Sequence, residues 1–153
     1  SRRQRQMCIR DRHFTSAFGE HVIAHEVETA LQATLQKFPA SIIEFSVAPQ
    51  VNPNVGLPYH EWLIEFGENP TCIEEFEKEL DRQMCLLNVY YQDLINGNVL
   101  RPLKISLVKK HGFQNYMKSL GKLGGQNKVP RLANDRLIAD KFYQLDLIEK
   151  PYE

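Results

Sequence analysis

The run HEWLIEF occupies residues 60–66 and alternates between two kinds of side chain. Its large apolar side chains come at every second position: Trp62, Ile64 and Phe66. The positions between them are Glu61, Leu63 and Glu65. Because successive side chains of a strand point to opposite faces, the run predicts a strand with a core-facing side. The same spacing places Trp62 in the core rather than on a platform for stacking nucleic acid bases.

Two further runs have the spacing of strands. Residues 41–49 alternate in the same way, with Ile43, Phe45 and Val47 on one side. The intervening residues 50–58 are rich in Asn, Pro and Gly, which is typical of a loop. We therefore expect an antiparallel hairpin. A third strand is predicted where Leu103, Ile105 and Leu107 alternate.

Helical spacing of apolar residues precedes and follows this hairpin. Residues 20–38 carry a stripe at steps of three and four. Thr71-Cys72-Ile73-Glu74 has the pattern of a capping box, which predicts the start of a second helix. Its stripe continues for five turns to Tyr91, and Gly97 ends the region.

Residues 112–120 form a predicted short helix, and residues 134–147 a last helix with Asn134 as its cap. Strands and helices in this order predict an α+β fold, a small mixed or antiparallel sheet flanked by helices.

Composition limits the class of protein. A chain of 153 residues is the usual size of one domain. No apolar run approaches the roughly 18 residues of a membrane helix, and the start lacks the apolar region of a signal peptide. Its three cysteines are Cys8, Cys72 and Cys85, with no CxxC pair, so neither a disulfide framework nor a metal site is predicted. We expect a cytoplasmic protein without a membrane partner.

The first twelve residues have the sequence expected of a segment that does not belong to the natural protein. Residues 2–11 are RRQRQMCIRD, which is the translation of a common sequencing-library transposon adapter. The alternative is a basic, disordered arm that binds nucleic acid. We expect residues 1–12 to be this artefact, and residues 13–153 to be one domain from a truncated gene. Without residues 2–12 the chain has 14 basic and 18 acidic residues, a formal charge of −4.

Positive charge is concentrated in one part of the chain. No acidic residue lies between Asp93 and Asp135. The basic residues of this stretch are Arg101, Lys104, Lys109, Lys110, Lys118, Lys122, Lys128 and Arg131. The stretch indicates either a surface that faces phosphate or another anion, or a solvated face of a strand and helix.

Residues 121–131, GKLGGQNKVPR, are the segment best suited to a ligand. Gly124 and Gly125 permit close approach of the backbone to a bound group, and Pro130 stiffens the exit. Lys128 could place its charge against a phosphate or a developing oxyanion. The alternative is a flexible turn with Lys128 in water. The segment does not match the Walker pattern GxxxxGK[ST], which disfavours a self-contained phosphate cradle.

Four segments resemble the C-terminal domain of the Gretchen Hagen auxin-responsive family, particularly its bacterial members. They are FTSAFGEHV at 14–22, HEWLIEF at 60–66, LRPLKISLV at 100–108 and GKLGGQNKVPRL at 121–132. The last is the most specific. The plant enzymes keep a related glutamine–lysine–proline–arginine segment but depart from Phe-Gly-Glu at 18–20. The resemblance covers about four-fifths of the chain, from His13 to about Ile138.

The resemblance implies an acyl-acid amido synthetase of the adenylate-forming superfamily. The expected substrates are a small carboxylic acid and an amino acid, with ATP and Mg²⁺ bound mainly by a large N-terminal domain. This chain would be the C-terminal lid that swivels on that domain, inactive alone. Lys128 is then the candidate catalytic residue. The candidate cofactor-binding residues are Lys122, Gly124, Gly125, Gln126 and Arg131.

Two other functions fit the residues. One is the lid of an acyl-CoA ligase, from the same superfamily but with a thiol acceptor. The other is a freestanding ferredoxin-like module that binds an anion or, less readily, nucleic acid. The identities of the acid and of the amine do not follow from this chain, because the acyl pocket is expected in the large domain.

Deleting residues 1–12 is expected to leave the thermal unfolding midpoint of the chain unchanged. The physical reason is that five arginines without an apolar stripe cannot offset the entropy lost on ordering. Calorimetry of the two chains measures the difference. A midpoint lower by several degrees after the deletion would mark the segment as native structure.

Overall fold

A mixed four-stranded sheet lies between two groups of helices. The computed structural model describes residues 14–15, 17–121 and 129–151. Within them the strands are β1 (Phe14–Thr15), β2 (Val22–Ile23), β3 (Ser41–Gln50), β4 (Tyr59–Glu68), β5 (Lys104–Val108) and β6 (Ile148–Lys150). The helices are α1 (Ala24–Lys37), α2 (Ile73–Leu87), α3 (Val89–Asn96), α4 (Gly112–Ser119) and α5 (Leu137–Gln144).

The large sheet has its strands in the order β3-β4-β5-β6. β3 and β4 form the predicted antiparallel hairpin, in which Gln50 pairs with Tyr59 beside the loop. β4 and β5 are parallel, and α2 and α3 make the crossover between them. β6 returns antiparallel to β5, and β1 and β2 form a separate two-stranded ribbon. The predicted α+β fold is confirmed, and its sheet is mixed.

Both faces of β4 are covered. Trp62 and Ile64 point into a core shared with α1, α2 and α3. Leu63 points into a second core shared with α4 and α5. Trp62 is 1% exposed, and its ring stacks on that of Phe45 with centroids 5.8 Å apart. The prediction that Trp62 belongs to the core is therefore confirmed.

Two predicted helix starts were wrong. The stripe from residue 20 becomes helical only at Ala24, because Val22 and Ile23 are extended and pair with β1. The Thr71 capping box does not form: α2 begins at Ile73, its N-cap is Cys72, and no side chain caps it. With that start Glu74 stands at the second helical position, so the reciprocal bonds of the box are lost.

The predicted five-turn helix after Thr71 is two helices divided at Asn88. The backbone of Asn88 is extended, and its side-chain oxygen accepts the Tyr91 N–H at 2.8 Å, which caps α3. Its side-chain amide donates to Glu26 at 3.1 Å. Asn88 therefore ends one helix and starts the next. The predicted end at Gly97 is confirmed, since Gly97 is the C-cap of α3.

The last helix is shorter than predicted. α5 spans Leu137–Gln144, and its N-cap is Arg136 rather than Asn134. Asp135 accepts the Leu137 N–H at 3.0 Å, and the chain turns at Asp146, where φ is 57°. Residues 148–150 then form β6, which was not predicted.

A buried carboxylate of β4 fixes the start of α4. Glu65 is 4% exposed and accepts the backbone N–H groups of His111 at 2.9 Å and Phe113 at 3.3 Å. These donors lie at the helix N-terminus, where a negative charge also interacts favourably with the helix dipole. His111 has φ 65°, a left-handed conformation that lets the chain turn from β5 into α4.

A second buried carboxylate of β4 fixes α5. Glu61 is 1% exposed and accepts bonds from Arg136 at 2.6 Å, from Ser106 at 2.6 Å and from the Tyr143 hydroxyl. Burial and the charge of Glu61 raise the pKa of Tyr143 well above its usual range, so its phenol stays a donor. Glu61 thus joins the sheet to both ends of α5.

Glu61→Ala is expected to lower the free energy of unfolding by about 3–5 kcal/mol, because it leaves buried donors and the largely buried Arg136 without their acceptor. Urea denaturation measures the change. Glu61→Gln, which keeps part of the bonding, should cost less. Asp140→Ala is the control, since Asp140 is 68% exposed and faces the same Arg136 at 3.5 Å. Asp140→Ala should lower the free energy of unfolding by no more than about 1 kcal/mol. Equal losses of unfolding free energy for Glu61→Ala and Asp140→Ala would contradict the prediction.

Candidate functional site

The loop with most of the candidate residues joins α4 to the edge of the sheet. It leaves the helix through a turn at Gly121, where φ is +72°, a conformation that favours glycine. Five of the six candidates lie outside the residues that the structure describes: Lys122, Gly124, Gly125, Gln126 and Lys128. Their roles therefore stay predictions. Arg131 is the sixth.

The exit of this loop is fixed to β3. Val129, the residue after Lys128, is 4% exposed and packs in the core beneath α4 and α5. The carbonyl of Pro130 accepts the Ser46 hydroxyl at 2.8 Å. The carbonyl of Arg131 accepts the Val47 N–H at 2.9 Å. Three consecutive residues are thus held by burial or by a hydrogen bond.

The side chain of Arg131 holds the same exit by its charge. Its guanidinium forms an ion pair with Glu44 of β3 and lies 3.7 Å from a carboxylate oxygen of Glu28 in α1. It also lies 4.8 Å from the centre of the Phe45 ring, a cation–π distance. Arg131 therefore joins the loop exit to the sheet and to α1. Its predicted contact with a cofactor stays a prediction.

The predicted strand and helix elements bring polar partners to this exit that sequence reasoning missed. Glu44 and Ser46 were seen only as the polar positions of an alternating strand. Their signal was weak, because polar residues on a strand face are usually solvated. Ser46 is in fact 1% exposed, and its hydroxyl satisfies a backbone carbonyl of the loop exit.

A cavity of about 350 Å³ opens at the carboxyl ends of the parallel strands β4 and β5. Apolar side chains such as Phe66 and Leu107 line it, together with Glu65, Lys110 and His111. A neighbouring cavity of about 240 Å³ shares Glu65 and His111 and reaches Val129 at the loop exit. These volumes lie at or below the lower end of ligand pockets, and the carboxylates disfavour a triphosphate. Neither of these two cavities has the volume and lining expected of a nucleotide site.

The basic stretch does not form a uniform cationic surface among the described residues. Lys104 lies 3.6 Å from Glu77, and Lys109 lies 3.1 Å from Asp146. The guanidinium of Arg101 lies over the ring of Tyr59, 4.5 Å from its centre. The two ion pairs offset part of the positive charge, which weakens the interpretation of an anion-binding surface.

Other kinds of site find little support in the described part of the chain. Burial and the charge of Asp81 raise the pKa of Cys85 to about 11, so its thiol is protonated and a poor nucleophile. Across residues 14–15, 17–121 and 129–151, no group of three or more His, Cys, Asp or Glu side chains could hold a metal ion. No helix in these ranges is long and apolar enough to cross a membrane.

Comparison with known proteins gives a family. Residues 25–137 match the family described as the GH3 family C-terminal domain. No curated protein matches the sequence. The fold is similar to the solved "GH3.15 acyl acid amido synthetase", with a TM-score of 0.68, 18% identity and coverage of 89% of this chain and 25% of that one.

A second solved structure, "AtGH3.15 acyl acid amido synthetase in complex with 2,4-DB", has a TM-score of 0.67 and 15% identity. That match covers 92% of this chain and 27% of the other, so the chain spans about a quarter of the length of the solved synthetases. At these identities the structural likeness shows the fold alone. The family match covers most of the chain, and the protein belongs to the GH3 (Gretchen Hagen) family, in its C-terminal domain.

Proposed function

We propose that the chain is the lid domain of a cytoplasmic, ATP-dependent acyl-acid amido synthetase from the bacterial branch of the family. In the first step a carboxylate oxygen bonds to the α-phosphorus of ATP, and pyrophosphate leaves. In the second step an amino acid amine bonds to the acyl carbon, loses a proton and displaces AMP. The products are an amide, AMP and pyrophosphate.

The fixed exit of the loop is the observation that carries this proposal. Lys128 directly precedes Val129, which is buried, and Pro130, whose carbonyl is bonded to Ser46. A catalytic charge works best from a support that needs no reorganisation during the reaction. A lysine at this position would be delivered from a fixed point of the sheet edge as the lid closes on the large domain.

Lys128 would act on charge that develops during adenylation. Negative charge grows between the attacking carboxylate and the α-phosphate, and an ammonium group aimed there stabilises the transition state more than the ground state. The neighbouring Gln126 and the glycines would let the backbone approach the same groups. Aminolysis of the acyl-adenylate does not need this charge in the same place.

ATP and Mg²⁺ would be held mainly by the large domain that precedes the lid. The chain matches only about a quarter of each solved synthetase, which leaves room for such a domain. Within the described residues no group of three or more His, Cys, Asp or Glu side chains could hold a metal ion, and the loop is the part of this domain that we propose contacts the nucleotide. The isolated chain is therefore proposed to be inactive.

The two alternative functions have less support. A freestanding ferredoxin-like module would contain a split βαβ unit, whereas β4 and β5 are adjacent parallel strands. The ion pairs that offset part of the positive charge also disfavour a nucleic acid surface. An acyl-CoA ligase lid would share the loop chemistry, and the solved structures of similar fold are named acyl acid amido synthetases, which supports an amine acceptor over a thiol.

Lys128→Ala in the full-length synthetase is expected to slow acyl-adenylate formation by roughly a hundredfold to a thousandfold, the usual loss for one such contact. Pyrophosphate exchange measures this step. Aminolysis of a preformed acyl-adenylate should change much less. Lys122→Ala is the matched control, because Lys122 lies in the same loop and tests for a general effect of positive charge.

If the Lys122 and Lys128 variants lost equally little of the adenylation rate, the loop would be only a basic surface. That result would contradict the assignment of Lys128 as the catalytic residue. Micromolar affinity of residues 13–153 alone for ATP, measured by titration calorimetry, would instead favour the binding module.

Arg131 is expected to act by holding the loop exit. Comparing variants of Arg131 with a variant of its partner Glu44 distinguishes this role from direct contact with ATP. If Arg131 positions the loop, Arg131→Ala and Glu44→Gln should both slow adenylation, by roughly tenfold or less. In a double-mutant cycle on the adenylation rate, the interaction energy between the two residues should be at most about 1 kcal/mol. Both rates come from pyrophosphate exchange. If Arg131 binds ATP, Arg131→Ala should raise the KM for ATP while Glu44→Gln leaves it unchanged or lowers it.

A further inference from the structure

Exposed apolar side chains collect at one end of the sheet. This surface, called here the hairpin end, comprises residues 17–23, 51–58, 86–90 and 98–101. Its exposed members include Val55 at 76%, Leu86 at 64% and Tyr90 at 58%. Single exposed apolar residues are ordinary, but a contiguous group marks a surface that binds another macromolecule.

The same segments carry little charge: their charged residues are Glu20, which is buried, and Arg101. Residues 45–59, 83–92 and 94–100 contain no Asp, Glu, Lys or Arg, although a quarter of the chain is charged. Depletion of charge together with exposed Tyr and Leu is typical of the centre of a protein–protein interface rather than of its rim. Such a composition does not suit a nucleic acid or an acidic membrane, which bind basic residues.

Contacts join the hairpin end into one surface. The ring of His60 lies 2.6 Å from Glu20, which places the segment before α1 against the start of β4. The Asn88 side chain donates to the His21 carbonyl at 3.4 Å, so the turn between α2 and α3 lies beside that segment. On the other side the Arg101 N–H donates to the Pro58 carbonyl at 3.0 Å.

The path of the chain indicates which partner covers the hairpin end. The chain matches a C-terminal domain and about a quarter of each solved synthetase, so the remaining part of such a protein precedes it. It would enter through β1, which pairs with β2 directly ahead of α1, beside the hairpin end. The larger cavity lies toward the opposite end, near Ile43 and Phe66, and the loop exit runs along the middle of β3.

We infer that the hairpin end is the surface on which this domain docks against the large domain of its own synthetase. The inference rests on the proposed function in one respect, that a large domain precedes the lid. A short connection through β1 keeps the two surfaces at high effective concentration, so a modest apolar patch suffices. A second copy of the chain lacks this advantage.

Hydrogen–deuterium exchange tests the docking without depending on catalysis. The full-length protein from the uninterrupted gene is compared with residues 13–153 alone. Amides of residues 51–58 and 86–90 should exchange about tenfold more slowly in the full-length protein, since docking protects segments that otherwise open readily. Loss of adenylation in a Lys128 variant with protection retained would separate the two proposals.

Leu86→Glu and Tyr90→Glu should remove this protection, because each places a charge at the centre of the apolar surface. Ile43→Glu is the matched control: Ile43 is 61% exposed, close to Leu86, but lies at the opposite end of β3. Thermal unfolding of the short chain should be unchanged by all three, which excludes misfolding as the cause.

Four results would overturn the inference. They are an absence of any preceding domain in the gene, equal exchange in the long and short chains, protection confined to residues near Ile43 and Phe66, and self-association of the short chain that Tyr90→Glu abolishes. The last result, measured by sedimentation, would assign the hairpin end to a second copy.

Discussion

Burial of both faces of β4 is the constraint on which the rest of the structure depends. The strand carries Glu61 and Glu65 on the face that α4 and α5 cover, and a carboxylate removed from water needs several donors to be tolerated. Glu65 finds them at the start of α4, and Glu61 finds them on β5 and α5. The positions of these elements follow from that need. The loop between the two helices is thereby brought to the edge of the sheet.

Alternation and helical spacing were enough to predict the hairpin, the third strand and the layer arrangement. What they missed depends on contacts between distant residues. Asn88 interrupts a continuous apolar stripe because its side chain reaches Glu26 in another helix, and no local pattern reveals that partner. β6 is three residues long and forms by pairing with β5, so tertiary contact rather than propensity decides it. The unpredicted start of α1 has the same kind of cause.

The candidate site stands out in the sequence as a segment, but the residues that hold that segment do not. The glycines, Lys128 and Pro130 stand out in the sequence because their chemistry is local. The residues that hold the segment do not stand out, since Glu44 and Ser46 are ordinary members of an alternating strand until the chain returns to them more than eighty residues later. Charge counting was least informative. Three of the eight basic residues that it counted, Lys104, Lys109 and Arg131, have acidic neighbours in space that are distant in sequence.

The segment after the loop also covers part of the exposed edge of the sheet. An edge strand offers its backbone groups to strands of other molecules, and β3 is the long edge of this sheet. At Val47 both backbone groups are already used, because the N–H donates to Arg131 and the carbonyl accepts from Ala133. Strand addition at the middle of β3 is blocked as long as residues 131–133 stay in place. Proteolytic cleavage within the loop would loosen that cover, and the edge exposed by it would be a template for intermolecular pairing.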